Sequence, residues 1–429
     1  MQLKYPSIRL ALARATYTLI SGSTAVQANI DDGLKTEGAA LVYSETGRVS
    51  VFEPVIQTTS TRREDETLSL RVVIDIMSGA SPSGAAPATS VQTFTSPSGG
   101  KQSTTAPYKL PLQDFSDQRV ALSLDWDTPW SPTQKNLLGV NFSKETDYTS
   151  FGLSDNLRTE LNDKLTTLTL GVAANVDGVS PAGGAPQALA VFPAPTAPSN
   201  SGDDDNERES DDFGELKLNA STLIGFTQVV NRRLLMQFNY ALSTSAGYLN
   251  DPYKIVSVVN GTTGAPVRYL SESRPRRRTN QTLFWKGVLH LPDDVVHLSY
   301  RYFWDDWGIR AHTADLEYRL ELGGTHYLRP HLRYHVQTGA DFYRHSLVDG
   351  AALPHYASAD YRLAALTSYT VGLKYGFRIS ANTQFGFRVE RILQTGAHHP
   401  ADAIGAQRQV DMYPNLEAYI FQIDFSALF

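Results

Sequence analysis

Residues 415–429 end the chain on an aromatic residue and alternate along their whole length. Tyr419, Phe421, Ile423, Phe425, Ala427 and Phe429 fall on one side, and Ala418, Ile420, Gln422, Asp424 and Ser426 on the other. A period of two sends successive side chains to opposite faces of a strand. One face stays apolar to the final residue; the other is mostly polar. Lipid cannot satisfy an open strand edge, so a sheet in a membrane must close on itself. The pattern predicts an all-β fold, a transmembrane antiparallel barrel of the outer-membrane type. Its last strand zips onto its first, with Tyr419, Phe421, Ile423, Phe425 and Phe429 as the assembly signal.

A chain of 429 residues holds two or three soluble domains or one large barrel. Mean hydropathy is -0.27, and no apolar run reaches the length of a transmembrane helix. A barrel is invisible to such averages because only alternate strand residues meet lipid. Aromatic residues make up 10% of the chain, with 21 Tyr, which suits interfacial girdles. There are 0 Cys, which removes disulfides, thiolate metal sites, covalent haem attachment and cysteine nucleophiles. A net charge of -6 argues against nucleic acid as a partner. Lys4, Arg9 and Arg14 precede a mildly apolar stretch and the sequence Val26-Gln27-Ala28. This predicts a signal peptide over 1–28 and a single barrel domain over 29–429.

The terminal pattern recurs along the chain. Leu68, Leu70, Val72, Ile74 and Ile76 alternate with Ser69, Arg71, Val73 and Asp75. Tyr369, Val371, Leu373, Tyr375 and Phe377 alternate with Thr370, Lys374 and Arg378. Connections sort into two classes. Tight turns fall at 62–64, 128–134, 161–163, 230–232, 291–294, 323–325 and 380–382. Long segments, several of them low in complexity, fall at 79–118, 176–214, 248–278, 346–361 and 395–414. The strands implied between them put every tight turn at one end and every long segment at the other. The count is about sixteen strands, or about fourteen if one hairpin is lost. Short turns and both termini then lie in the periplasm, and long mobile loops lie outside.

Several strings at the strand-to-loop junctions are distinctive. They are Ser78-Gly79-Ala80-Ser81-Pro82-Ser83-Gly84-Ala85-Ala86-Pro87, Gln92-Thr93-Phe94-Thr95-Ser96-Pro97-Ser98-Gly99, Asn141-Phe142-Ser143-Lys144-Glu145-Thr146-Asp147-Tyr148 and Gly247-Tyr248-Leu249-Asn250-Asp251-Pro252-Tyr253-Lys254. They resemble a Gram-negative family of outer-membrane barrels known as domain of unknown function 3570, over nearly the whole chain after the leader. That resemblance implies the barrel and carries no catalytic residues. A looser similarity runs to the barrel sheaths of multihaem electron conduits. It implies a periplasmic or surface redox partner, and any haem would be that partner's, because this chain has no haem-attachment motif.

Alternation turns Arg71, Asp75, Asp125, Asp127, Lys286, Arg301, Asp315, Glu317, Arg319, Glu321, Arg329, His331, Arg333, His335, Lys374, Arg378, Arg388, Glu390 and Asp424 toward the lumen. They serve as a cross-strand lattice that stiffens the wall, as a pore field that selects anions, or as both. His331 and His335 are about 13 Å apart along one strand, too far to chelate one metal as a pair. Asp203, Asp204, Asp205, Glu207, Glu209, Asp211 and Asp212 form an acidic run without the spacing of a calcium loop. Arg274, Arg276, Arg277 and Arg278 form a basic rim run whose guanidiniums suit lipopolysaccharide phosphates or the acidic run. Asp305, Asp306 and His312 flank one outer hairpin, but strand parity separates Asp305 from His312, and no nucleophile-elbow or metalloprotease motif is present. The expected function is passage across the outer membrane, as a porin-like channel or a sheath for a partner. The alternatives are an enzyme at the rim and a surface binding or adhesion barrel. Expected partners are outer-membrane lipid, lipopolysaccharide and the barrel assembly machinery. No cofactor or metal is implied.

Overall fold

A computed structural model describes residues 33–63, 65–95, 102–181, 184–192 and 214–429. The expected signal peptide over 1–28 and the acidic run lie outside the described residues. In chain order the strands are β1 (Leu34–Glu45), β2 (Ser50–Arg63), β3 (Glu66–Pro82), β4 (Gln92–Thr95), β5 (Gln102–Thr105), β6 (Leu112–Ser131), β7 (Gln134–Lys144), β8 (Tyr148–Leu161), β9 (Thr166–Val179), β10 (Glu215–Asn231) and β11 (Leu234–Gly247). There follow β12 (Ile255–Val259), β13 (Pro266–Ser271), β14 (Arg277–His290), β15 (Val295–Asp305), β16 (Arg310–Leu322), β17 (His326–Gln337), β18 (Leu347–Val348), β19 (Leu366–Arg378), β20 (Thr383–Gly396) and β21 (Leu416–Leu428). Among the described residues, no helix is long and apolar enough to cross a membrane.

Sixteen strands close one antiparallel barrel, with order β1-β2-β3-β6-β7-β8-β9-β10-β11-β14-β15-β16-β17-β19-β20-β21. Closure is made by β21 on β1, in register from Lys35 opposite Leu428 to Glu45 opposite Ala418. Leu34 and Phe429 extend the ladder with reciprocal backbone bonds of 3.2 and 2.8 Å. The seven expected tight turns lie at the end that holds Leu34 and Phe429, and three more short connections, 46–49, 145–147 and 306–309, lie at the other end. The expected count holds, and every long segment lies at the loop end, where short connections also occur.

Side-chain facing follows from alternation. Leu70 on β3, Leu373 on β19 and Phe421 on β21 are 48%, 48% and 50% exposed, as are many apolar partners on neighbouring strands. So many large apolar groups on one continuous outer surface fit contact with lipid. Aromatic rings gather at two heights on that surface. Tyr334 and Tyr369 pair near the loop end, with centroids 5.3 Å apart. Tyr375, Phe377, Phe385 and Phe425 stack in sequence near the turn end. Asp155 breaks the pattern. Its register partners are Leu138 and Val172, both outward, so its carboxylate lies on the apolar surface.

The loop end corrects one expectation. The long segments are not free loops where they are described; they pack into a cap. All five residues of β12 are buried. This strand pairs antiparallel with β13 and parallel with β18. Val256, Val258, Leu270, Leu347, Ala357 and Ala359 form the cap's core. Trp307, Ile309, Ala340, Phe342 and Leu363 form a second cluster beside it. Burial of these groups offsets the entropy of ordering long connections.

Candidate functional site

Inward charges are segregated around the barrel. On the arc from β2 to β9, Glu53, Asp75, Asp117, Asp125, Asp127, Glu160 and Asp177 outnumber Arg71, Arg119, Lys135 and Arg158. Arg119 donates to Asp75, and Arg158 lies 2.7 Å from Asp127. On the facing arc, Lys286, Arg301, Arg319, Arg329, Arg333, Lys374, Arg378 and Arg388 outnumber Asp315, Glu317, Glu321, Glu390 and Asp424. The strand order sets these arcs on opposite walls. Opposed walls of unlike charge put a transverse field across the interior.

Much of the basic wall is internally paired. His331 holds two carboxylates at once, with Nδ1 2.9 Å from Glu390 and Nε2 2.9 Å from Asp315. Lys374 donates to Asp424 at 2.7 Å, and Arg329 lies 3.5 Å from Glu317. Arg319 pairs with Glu321 and stacks 3.8 Å over the Tyr327 ring. These links tie β16, β17, β19, β20 and β21 into a lattice and surround a 90 Å³ cavity lined by His331, Lys374, Arg388 and Gln422 among others.

Above the lattice the pairing thins, with His331 and Glu390 as the last linked pair on this wall. A chamber of about 520 Å³ lies between the lattice and the cap. Arg301, Arg333 and His335 line one side, with Ser368 and Thr370 beside them. Ile392, Leu416 and Ile420, from β20 and β21, line the other, and Leu366 lies on β19 toward the mouth. Among the described residues, neither Arg301 nor Arg333 makes a hydrogen bond or an ion pair. Tyr361 and Arg362, from a short 3-10 turn after the cap, form part of the lining. Sequence reasoning missed the chamber, because its roof comes from a loop. The signal for the cap was the run Ile255-Val256-Ser257-Val258-Val259, the length and composition of a buried strand.

The rim residues are placed differently from the expectation. Arg274 is buried in the cap, where it lies 2.6 Å from Glu272 and 2.8 Å from Asp360. Arg278 donates to Asp305 at 2.6 Å. Neither guanidinium is free for a lipid phosphate; Arg276 and Arg277 remain exposed. Asp305 also accepts from the backbone N–H groups of Trp307 and Ile309, so it fastens its own turn. His312 sits on the outer face, bonded to Tyr300 at 2.6 Å. These two do not form a dyad. His398 and His399 approach Asp411 at 3.4 and 3.6 Å. Asp117, Glu145 and Asp147 bring carboxylates together at the loop end, but Thr146 donates to Asp117, Arg119 faces Glu145 and Tyr253 donates to Asp147.

A charge network centred on the buried carboxylates Glu272 and Asp360 ties the cap together. Arg362 bridges Asp360 and Asp251 at 2.5 Å each. Burial pushes the Glu272 carboxyl up to about 7, against the pull of Arg274. Burial would also raise Asp360, but Arg362 and Arg274 outweigh it and hold that carboxyl well below the usual range.

The fold is similar to solved outer-membrane proteins at low identity. Outer membrane protein opdK from Pseudomonas aeruginosa is 5% identical with a TM-score of 0.41, covering 93% of this chain and 99% of that one. The CymD monoaromatic hydrocarbon channel is 9% identical with a TM-score of 0.39, covering 97% of this chain and 93% of that one. The siderophore receptor PirA from Pseudomonas aeruginosa is 10% identical with a TM-score of 0.38, covering 86% of this chain. This chain spans only 57% of that receptor's length. No substrate follows from these likenesses. No curated protein matches the chain. A family model described as "Protein of unknown function (DUF3570)" matches residues 9–427, and the chain belongs to that family.

Proposed function

We propose that the protein is a channel for small anions in the outer membrane of a Gram-negative bacterium, with both termini and the tight turns in the periplasm. The observation that carries this reading is the unpaired Arg301 and Arg333 on a lumen wall already rich in cations. Guanidiniums without carboxylate partners attract counter-ions, and a facing acidic wall orients what passes between them. The cap speaks for a narrow mouth admitting small solutes, rather than for a sheath around a protein partner. Proteoliposomes in isosmotic potassium chloride with valinomycin test it, because swelling then requires anion entry. Swelling faster than that of protein-free vesicles is expected. Equal rates from a folded, heat-modifiable barrel would overturn the proposal.

A further inference from the structure

We infer that the chamber beneath the cap binds small organic carboxylates that carry an apolar body, such as a single ring. The inference deepens the channel reading and rests on it for its physiological meaning. Its basis is a gradient of chemistry across one row of the wall. Arg333, Thr370 and Ile392 are consecutive register partners on β17, β19 and β20. The row passes from guanidinium to hydroxyl to branched hydrocarbon over two interstrand spacings, about 10 Å. The next row toward the mouth supplies His335, Ser368 and Gln394. Arg301 faces the same space from β15.

Each end of this row lacks a partner of its own kind. Among the described residues neither guanidinium makes an ion pair with a carboxylate; the one acid lining the chamber, Glu390, is held at its floor by His331, which also takes Asp315. An inorganic anion would satisfy the cationic end and leave Ile392, Ile420 and Leu416 facing water. A neutral hydrocarbon would do the reverse. A carboxylate on an apolar body satisfies both, with a bidentate fork at Arg333 or Arg301 and its body against the isoleucines. A volume of about 520 Å³ lies within the usual range for small-molecule sites.

The test uses the full mature chain folded in detergent, with calorimetric titration of benzoate, acetate and benzamide. Benzoate is expected to bind, with acetate and benzamide each weaker by about tenfold or more, since each lacks one half of the match. R301Q and R333Q should each weaken benzoate by about tenfold, and I392N should weaken benzoate while leaving acetate unchanged. Absence of benzoate binding to the wild-type barrel, equal binding of benzoate and acetate, or unchanged binding in the R301Q/R333Q double variant would overturn the inference. Anion-driven swelling without benzoate binding removes this site and leaves the channel. Benzoate binding without anion-driven swelling keeps the site and removes the channel.

Discussion

Phe425 lies across Gly38 at the barrel seam, its register partner on the first strand. A methyl group at Gly38 would overlap the Phe425 ring. The glycine therefore gives the terminal aromatic a seat on the strand it must close against. Gly38→Val should destabilise the folded barrel by about 1–3 kcal/mol, the usual cost of overpacking. Urea titration of the heat-modifiable form in detergent reads this out, and a variant as stable as wild type would contradict it.

Lipid facing is tested at Leu373 and His335. Leu373 points outward from the middle of β19, and Leu373→Arg should cost about 2–4 kcal/mol. His335 points inward beside Thr313, 2.9 Å away, and His335→Arg should cost much less. Equal costs would overturn the assignment of faces. Asp155 supplies the opposite sign. Asp155→Leu should stabilise the barrel by up to about 2 kcal/mol, because it removes a carboxylate from the apolar surface. A loss of stability in that variant would show that Asp155 has a partner in the membrane.

The ion pair of Arg278 and Asp305 predicts a structural phenotype at the rim. Asp305 is enclosed and accepts from one guanidinium and two backbone amides. Asp305→Ala leaves Arg278 without its counter-charge and should cost about 3–5 kcal/mol, as broken buried pairs do. Circular dichroism melts in detergent measure it; a cost below about 1 kcal/mol would contradict the buried pair.

The cap should tighten as pH falls from 8 to 6. Glu272 is raised to about 7 by burial, from an ordinary value of 4.5. A raised carboxyl contributes its stability in full below the unfolded value and loses it as pH rises through about 7. Arg274, Asp251, Asp360 and Lys254 all face it within the cap. Asp360, depressed by Arg362 and Arg274, loses its contribution only in strong acid, and Lys254, pushed down by burial, contributes with the opposite sign, so Glu272→Gln isolates the Glu272 share. Hydrogen exchange at the β12 amides, corrected for intrinsic rates, should be slower at pH 6 than at pH 8. Glu272→Gln should flatten the difference; an unchanged slope in that variant would sink the assignment.

The barrel was legible because closure in lipid constrains every strand alike. Alternation at Leu68 to Ile76 and at Tyr419 to Phe429 needs no knowledge of neighbours to be read. The cap and the chamber depend instead on which strands meet. Thr370 joins Arg333 to Ile392 only once the register is known, and Tyr361 reaches the lumen only because a loop folds back. Arg274 read as a surface cation because Asp360, the second acid that encloses it beside neighbouring Glu272, comes from a distant cap segment that only the fold brings near. Asp155 shares a face with Leu138 and Val172 only through its register with β7 and β9, which one strand's own sequence does not contain.

Ion selectivity tests the central claim most directly. A single barrel in a planar bilayer under a tenfold potassium chloride gradient reports it through the reversal potential. An anion-selective potential that weakens when Arg301 and Arg333 are both changed to Gln is the predicted result. A cation-selective potential, or silence from a folded barrel, would contradict the account.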